Sequence, residues 1–317
     1  MAFPSCWLLT DGAAGNVQQA RALAQGLGAP AEAIELHARA PWRWLAPRLL
    51  AGAQHAWGAD LAARLARPPA LAIGCGRQGA LATRLLRQRH RGGCRSVQIL
   101  DPRIDPAAFD VVVAPRHDGL EGPNVVPCTG SLNAIDENWL AQARQRFATL
   151  ASLPRPLTLL LVGGPTARMP MSPDWFARLA AILEHWLDRD GGSLLVSSSR
   201  RTPDWLRAAL RHRFAGLPGR QWHGPEDGGN PYPGFLAHAS RIVVSADSAN
   251  LMSEAAAVGV PVLVHGAPRG KLALLYRQLL RDGHVRPLER RMEAWQAAPL
   301  RELPREVAQV RALLQVD

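Results

Sequence analysis

The sequence predicts an α/β protein with two Rossmann-like domains that face a cleft. Strand-like apolar runs alternate with helical stretches, and each half of the chain opens with a strand followed by a glycine-containing turn. The alternation stops once, at "LASLPRPL", and then starts again. We therefore place one domain at residues 1–152 and the other at 157–317, with the C-terminal helix as a candidate for packing back on the first domain.

The elements follow from two periodicities. Short runs rich in β-branched and other apolar residues predict buried strands, and apolar residues three and four positions apart predict helices. The predicted strands are residues 5–10, 34–36, 71–73, 97–100, 111–114, 125–127, 157–162, 193–197, 242–245 and 261–264. The predicted helices are residues 17–27, 79–89, 136–150, 173–187, 204–214 and 250–258.

The segment "PWRWLAPRLLAGAQHAW", residues 41–57, departs from this alternation. A helical wheel separates an apolar face from a basic and polar one. The apolar face holds Trp42, Leu45, Leu49, Leu50, Ala53 and Trp57, and the other holds Arg43, Trp44, Arg48, Gln54 and His55. Pro47 suits the first turn of a helix, so residues 42–45 can precede the helix proper. Two interpretations stay open: an amphipathic helix at a membrane interface, or a helix that covers a domain.

Length and composition indicate a packed globular protein. The chain has 317 residues, of which 47% are hydrophobic and 20% charged. No apolar run approaches the roughly 18 residues that span a bilayer, and the N-terminus lacks the basic start and apolar core of a signal peptide. We expect a cytoplasmic protein, with peripheral binding at the inner face of the cytoplasmic membrane as a further hypothesis.

The net charge of +11 raises the question of an anionic partner. The basic residues are spread along the chain without an aromatic-rich RNA-binding signature, so we expect no nucleic-acid partner. Anionic lipids and sugar diphosphates are alternatives. The excess positive charge can also reflect a compositional bias towards arginine, because Lys271 is the only lysine.

The four cysteines predict neither disulfides nor a metal site. Cys6, Cys75, Cys94 and Cys128 are widely spaced, with no C-x-x-C pair and no histidine at ligand spacing. Three lie in or beside apolar runs, which favours buried thiols.

The turn "TDGAAGNVQQA" follows the first predicted strand. Gly12 and Gly15 allow a tight turn and close approach of a ligand, and Asn16 can cap the next helix. The spacing lacks the third glycine of a dinucleotide fingerprint. Asp11 is either a turn-forming residue or a general base for an acceptor hydroxyl.

Two further turns of the first half carry charged residues. In "IGCGRQGAL", Arg77 follows a strand and can pair with a phosphate or carboxylate, or with a surface acid. In "APRHDGL", His117 and Asp118 follow another strand. Neighbouring residues on a strand point to opposite faces, which weighs against a catalytic His–Asp pair.

The second half offers groups suited to phosphates and to a nucleoside. Gly163 and Gly164 follow one strand, and Ser199 and Arg200 follow the next, where hydroxyl and guanidinium groups suit phosphate oxygens. Tyr232 is one of two tyrosines and can either stack on a base or pack in a proline-rich loop.

The stretch "VVSADSANLMSEAAAVGVPVLV" reads as strand, helix and strand. Asp247 and Ser248 lie at the strand end, and residues 248–250 start the helix, whose free N–H groups favour a diphosphate. Glu254 can accept hydrogen bonds from the two hydroxyls of a ribose. The alternative is a capped helix with a solvated glutamate.

These motifs together resemble one family. The stretches are "TDGAAGNVQQA", "QILDPRID", "VVVAPRHDGLEGPNVV", "LLVGGP", "SSSRRTP" and "NPYPGFLAHASRIVVSADSANLMSEAAAVGVPVLV". They are similar to those of the bacterial relatives of the plant mitochondrial fission (elongated mitochondria-like) family, whose members often carry the label nucleoside-diphosphate-sugar epimerase. The last stretch also resembles the donor-binding region of GT-B glycosyltransferases.

The resemblance implies a GT-B fold, with an acceptor on the N-terminal side and a nucleotide-diphosphate sugar on the C-terminal side. The donor-side candidates are Gly163, Gly164, Ser199, Arg200, Tyr232, Asp247, Ser248, Asn250 and Glu254, and among them the resemblance implies Asp247 and Ser248 for the diphosphate and Glu254 for the ribose. Those on the acceptor side are Gly12, Gly15, Asn16, Gln19, Arg77, His117 and Asp118, with Asp11 as the base. Neither a cofactor nor a metal is implied.

Three functions stay open at this point. The first is an inverting, metal-independent glycosyltransferase with a lipid-linked or glycan acceptor, in envelope glycan or lipopolysaccharide synthesis. The second is an NAD-free sugar-nucleotide epimerase, since no Tyr-x-x-x-Lys pair of the NAD-dependent type occurs. The third is a non-catalytic scaffold, which the plant namesake's link to recruiting a dynamin-related protein implies.

Overall fold

The computed structural model describes residues 3–90, 92–167, 169–291, 293 and 295–315. The chain divides into two compact units. Unit 1 contains the chain up to Ala134 and the segment from Glu302 onwards, and unit 2 runs from Ile135 to Arg301. The proline segment in which the sequence suggests a linker lies inside unit 2, and the last helix belongs to unit 1.

Each unit is built on a parallel six-stranded sheet. The strands are β1 (Cys6–Thr10), β2 (Ala31–Glu35), β3 (Leu71–Cys75), β4 (Arg95–Ile99), β5 (Val111–Pro115), β6 (Val125–Cys128), β7 (Leu157–Val162), β8 (Ser193–Ser198), β9 (Gly219–Trp222), β10 (Arg241–Ser245), β11 (Val262–His265) and β12 (Arg286–Pro287). Their order is β2-β1-β3-β4-β5-β6 in unit 1 and β12-β11-β10-β7-β8-β9 in unit 2. The two parallel sheets confirm the predicted pair of Rossmann-like domains.

Helices connect the strands. They are α1 (Ala14–Gly26), α2 (Trp42–Leu45), α3 (Ala59–Arg64), α4 (Gly76–Arg89), α5 (Glu137–Arg146), α6 (Pro173–Asp190), α7 (Asp204–Arg213), α8 (Tyr232–His238), α9 (Ala249–Val258), α10 (Lys271–Arg281) and α11 (Leu303–Leu314). None of the helices in the described part of the chain combines the length and the hydropathy that a membrane span requires.

The sheet of unit 1 is covered on both faces. Successive residues of β1 alternate between two buried clusters, because strand side chains point to opposite faces in turn. Cys6 and Leu8 join the cluster that includes residues of α1 and α11, whereas Trp7 and Leu9 join the one that includes residues of α3 and α4. Sheets buried on both faces have near-continuous apolar strands, which is why these runs stand out in the sequence.

Unit 2 has one large apolar cluster around its three central strands. Every residue of β7, β8 and β10 is buried. Helix α6 packs an apolar side that includes Leu179, Leu183 and Trp186 into this core. The helix starts at Pro173, which needs no N–H there, and the Oγ of Ser172 accepts a hydrogen bond from the backbone N–H of Trp175 at 3.2 Å.

Residues 41–57 do not form one amphipathic helix. The helix that both interpretations of this segment assumed was therefore predicted wrongly. Helix α2 ends at Leu45, and only a 3-10 turn follows, at Ala53–His55. Pro47 cannot continue a helix, since it lacks an N–H and disfavours helical geometry in the residue before it. Gly52 then takes a left-handed conformation, with φ of 77°. Trp44 and Leu50 remain exposed, by 63% and 43%.

All four cysteines are free and buried, as expected. Burial raises the pKa of Cys6 to about 12, with a smaller contribution from Cys94. These thiols are therefore packing groups in unit 1.

Candidate functional site

The sheet of unit 2 has its switch point between β7 and β10. The chain runs outward from β7 through β8 to β9 and returns to β10 on the other side of β7. In open parallel sheets, ligands bind beyond the carboxyl ends of the strands where the order reverses. The loops at this point contain Gly163, Gly164, Asp247 and Ser248, so four of the predicted donor-side residues meet here.

The carboxylate of Asp247 joins the loops after β7 and β10. Its Oδ1 accepts a hydrogen bond from Ser245 Oγ at 2.6 Å, and its Oδ2 accepts one from the backbone N–H of Gly164 at 2.9 Å. The Nη2 of Arg201 lies 3.0 Å from the same Oδ2. Burial raises the pKa of this carboxyl, and the hydrogen bonds and the charge of Arg201 oppose the rise. Asp247 is fully buried and positions the loops.

Both glycines after β7 are required by this packing. A Cβ on Gly163 would lie 2.0 Å from Asp247 Oδ2, and one on Gly164 would lie 2.3 Å from the carbonyl oxygen of Arg201. The backbone N–H of Gly163 donates to Ser245 Oγ at 2.8 Å. The sequence identified these glycines as a possible ligand contact, and the structure shows that they admit the carboxylate and the neighbouring loop.

The loop after β8 brings a guanidinium to the switch point. The hydroxyl of Thr202 lies 2.5 Å from the carbonyl oxygen of Gly163, which fixes this loop against β7. Ser199 Oγ accepts a hydrogen bond from the backbone N–H of Arg201 at 3.1 Å. Arg200 is exposed, whereas the guanidinium that reaches Asp247 belongs to Arg201.

Helix α9 starts beside this loop, at the predicted place. Ser248 is its N-cap and its Oγ accepts a long hydrogen bond from the N–H of Leu251, at 3.4 Å. Asn250 lies in the first turn. The N-terminus of a helix carries partial positive charge, so an anion is favoured there.

Glu254 of α9 contacts Tyr232, the first residue of α8. The phenol hydroxyl donates a short hydrogen bond to Glu254 Oε2, and both residues are half-buried. Burial raises the pKa of Glu254, and the hydrogen bond opposes the rise. For Tyr232, burial and the nearby carboxylate both raise the pKa. The neutral phenol therefore orients the carboxylate at this position.

A cavity of about 340 Å³ lies beside the loop that carries Asp247. Thr166, Met169 and Leu272 form part of its wall, and Arg269 adds a cationic group. Arg269 follows β11 in "HGAPRG" and is exposed. Such a concave site, apolar with a few polar groups, suits a small molecule with an anionic part.

In unit 1 the switch point lies between β1 and β3. Asp11 is exposed after β1, and its Oδ1 accepts hydrogen bonds from the N–H of Ala13 at 3.2 Å and from Asn16 Nδ2 at 2.8 Å. Asn16 is not the helix cap that the sequence suggested, because α1 already begins at Ala14. Gly12 has φ of 74°, and a Cβ there would meet the carboxylate of Glu35 at 2.0 Å.

The other acceptor-side residues lie on helices α1 and α4 and in the turn after β5. Gly15 lies within the first turn of α1, and Gln19 is buried in that helix, with 3% exposed. The guanidinium of Arg77 donates to the carbonyl oxygens of Trp44 and Ala46, each at 2.7 Å, and its pairing with a phosphate or a carboxylate stays a prediction.

His117 and Asp118 lie in a 3-10 turn after β5. Strand β5 is three positions from β1 in the sheet, which separates the two loops by roughly 14 Å. The pair is therefore not part of the switch point of unit 1.

Among the guanidiniums of unit 2, the sequence selected Arg200 as a site group rather than Arg201, and it missed Arg269. "SSSRRTP" offers two adjacent arginines, and only the fold shows that Arg201, not Arg200, turns towards Asp247. Arg269 follows a predicted strand, so inspection of that strand end would have found it. Across the described part of the chain, no group of three or more His, Cys, Asp or Glu side chains is placed to hold a metal ion.

Comparison with known proteins gives a family match over nearly the whole chain. The family model described as mitochondrial fission ELM1 matches residues 14–314. The mitochondrial fission protein ELM1 of Arabidopsis thaliana is 30% identical over 273 residues, which cover 77% of this chain and 63% of the plant protein. The chain thus spans about 63% of the length of this relative.

Solved structures share the fold at low sequence identity. UDP-GlcNAc 2-epimerase from Methanocaldococcus jannaschii matches with a TM-score of 0.59 and 11% identity, over 98% of this chain and 99% of that one. A UDP-glucosyltransferase from Polygonum tinctorium matches with a TM-score of 0.51 and 14% identity, over 99% and 89%. The fold is therefore that of GT-B glycosyltransferases and epimerases.

Proposed function

The chain belongs to the mitochondrial fission ELM1 family, and from its GT-B fold and the switch point of unit 2 we propose that it is a nucleotide-diphosphate-sugar-dependent glycosyltransferase. One observation carries the proposal: the helix that follows the switch-point loop, α9, bears Glu254 in a hydrogen bond with Tyr232, and a cavity that includes Arg269 lies beside that loop. The reaction proposed is inverting and independent of metal.

The diphosphate would lie at the start of α9. The N–H groups of its first turn and the guanidiniums of Arg201 and Arg269 supply donors and positive charge. Asp247 is a buried anion nearby, and its hydrogen bonds and its partner Arg201 reduce the repulsion of a phosphate. In the transition state these groups would stabilise charge that develops on the leaving diphosphate.

The nucleoside would be held by Glu254. A carboxylate can accept hydrogen bonds from both hydroxyls of a ribose. Tyr232 already fixes one oxygen, so the carboxylate is oriented before the nucleotide arrives. Such preorganisation lowers the entropic penalty of binding.

Asp11 is the proposed base. Its Oδ1 is held by Ala13 and Asn16, and the carboxylate is exposed. In the proposed step the acceptor oxygen attacks the anomeric carbon as the bond from that carbon to the diphosphate oxygen breaks. The acceptor proton passes to Asp11, and the diphosphate leaves with the bonding electron pair.

The acceptor is proposed to be a glycan or lipid-linked sugar at the membrane surface, as in envelope glycan or lipopolysaccharide synthesis. The exposed side chains of Trp44 and Leu50 support this placement, and Arg43 and Arg48 flank them. Tryptophan and arginine together suit the interface of an anionic membrane. The protein would then act on the cytoplasmic side as a peripheral enzyme.

A thermal-shift titration with UDP, GDP, CMP and ADP tests the donor site. We expect saturable stabilisation by one nucleotide, lost in Glu254→Ala and kept in Glu289→Ala, an exposed glutamate of the same unit. No shift for the folded wild-type protein would contradict the donor site. With the matching activated sugar, Asp11→Asn should keep the nucleotide shift and lose transfer.

Two alternatives have specific support. The likeness to UDP-GlcNAc 2-epimerase favours an NAD-free epimerase, and a change of sugar configuration without an acceptor would identify it. The relationship to a plant mitochondrial fission protein favours a scaffold. A cellular role that survives both Asp11→Asn and Glu254→Ala would identify the scaffold.

A further inference from the structure

Unit 1 contains a second cavity, of about 440 Å³, far from its switch point. Arg84, Arg87 and Gln88 of α4, Arg95 at the start of β4 and Asp110 just before β5 contribute to its wall. It therefore lies at the amino ends of β4 and β5, whereas Asp11 follows the carboxyl end of β1. A five-residue strand is roughly 16 Å long, so the two places are on opposite edges of the sheet.

The one acid of the wall is already paired. Asp110 Oδ1 accepts from Arg87 Nε at 3.0 Å, and its Oδ2 accepts from the N–H and Oγ of Ser96 at 2.7 and 2.8 Å. Burial acts to raise the pKa of Asp110, but these hydrogen bonds and the charge of Arg87 lower it. Asp110 thus stays ionised and takes up the charge of Arg87.

Two guanidiniums remain with little to neutralise them. Arg84 donates from Nη1 to the carbonyl oxygen of Pro47 at 3.2 Å, a neutral partner. Within the described ranges, no carboxylate lies at ion-pair distance from Arg84 or Arg95. Both side chains are partly buried, so the positive charge faces a concave space rather than open solvent.

From this arrangement we propose that the cavity is a second binding site, specific for a phosphate monoester. Three arginines and one aspartate give the wall an excess charge of two, which matches the charge of about −1.5 to −2 on a phosphate monoester at neutral pH. Guanidinium forks bind phosphate oxygens in pairs, and the Gln88 amide adds a neutral donor. The volume leaves room for an organic group beside Leu49, which forms an apolar part of the wall.

The site does not depend on the proposed glycosyltransferase activity. The phosphate monoester can be a free metabolite or the headgroup of a lipid such as phosphatidic acid, and both present the same dianion. Leu49 precedes the exposed Leu50, so a lipid-borne phosphate would also place acyl chains near an apolar surface.

Calorimetric titration of the full chain with phenyl phosphate tests the proposal. We expect saturable binding that weakens at least tenfold in the double variant Arg84→Gln/Arg95→Gln. The single variant Arg95→Gln should weaken it several-fold, and this change breaks no contact described above. Arg89→Gln, an exposed change on the same helix, should leave it unchanged. Absence of binding, or equal binding by the double variant, would overturn the proposal.

A second arm distinguishes the source of the phosphate. Sedimentation with vesicles of phosphatidylcholine and phosphatidic acid, against phosphatidylcholine alone, should show retention that depends on Arg84 and Arg95 if the ligand is a lipid. Phenyl phosphate binding without such retention assigns the site to a soluble phosphate monoester. Vesicle retention that both arginine variants keep would contradict a role of this cavity in lipid binding.

Discussion

Replacing Gly163 with alanine tests the assignment of Asp247 as the group that joins the loops of unit 2. The new Cβ would start 2.0 Å from Asp247 Oδ2, whereas ordinary contact begins at 3.4 Å, so the carboxylate must move by about 1.4 Å. A shift of that size breaks the 2.9 Å bond from Gly164 and the 2.6 Å bond from Ser245.

The magnitude follows from those two bonds. Hydrogen bonds to a charged group contribute about 1.5–3 kcal/mol each, so the loss is about 3–6 kcal/mol. Arg201 is 55% exposed and can follow the displaced carboxylate, which favours the lower end. We expect Gly163→Ala to reduce the free energy of unfolding by about 3 kcal/mol, measured by urea denaturation.

Two further variants make this test selective. Gly229→Ala is the matched control, since a Cβ there meets nothing within 4 Å, and it should be neutral or stabilising by up to about 1 kcal/mol. In an Asp247→Ala background, Gly163→Ala should cost less than about 1 kcal/mol, because the clashing oxygens are gone. Additive losses, or a Gly163→Ala protein as stable as Gly229→Ala, would refute the reasoning.

Three other predictions concern hydrogen bonds and protons. Tyr232→Phe removes the donor to Glu254, and we expect a loss of about 1–2 kcal/mol of stability and several-fold weaker nucleotide binding, measured by denaturation and titration. Burial raises the pKa of Glu306 from 4.5 to about 7, so unit 1 should lose up to about 3 kcal/mol of stability as pH rises from 4.5 to 7. Glu306→Gln should flatten that slope in melts across pH, and an unchanged slope would contradict the assignment. Burial lowers the pKa of His223 from 6.5 to about 4, so unit 2 should lose stability as pH falls from 6.5 to 4, and His223→Asn should remove this loss in the same melts.

The central strands could be predicted from the sequence because burial on both faces leaves a strong local signal. Strand β7 was predicted at its exact residues, and β8 and β10 within one residue. The edge elements gave no such signal. Strand β9, "GRQW", has no buried residue and β12 has two residues, so both were missed.

The sequence predicted which strand ends carry the residues of the candidate site. It did not predict which of their side chains form hydrogen bonds with one another. The strand-end rule located Asp247, Ser248 and Glu254, because the topology of parallel sheets brings those ends together. The hydrogen bond from Tyr232 to Glu254 joins residues 22 positions apart, and the one from the Gly164 N–H to Asp247 joins residues 83 positions apart. No local pattern encodes such contacts, so their recognition needed the fold.

The chain enters unit 2 after Ala134 and returns to unit 1 at Glu302, which sets an order of events during synthesis. At about 5–20 residues per second, the roughly 170 intervening residues take on the order of 10–30 s to translate. During that interval unit 1 lacks α11, whose Val307, Val310 and Leu314 complete its apolar cluster. Synthesis of unit 2 is therefore complete before that of unit 1, although unit 2 begins later in the sequence. Until α11 is synthesised, the apolar surface that it covers on unit 1 is therefore exposed to solvent and to chaperones.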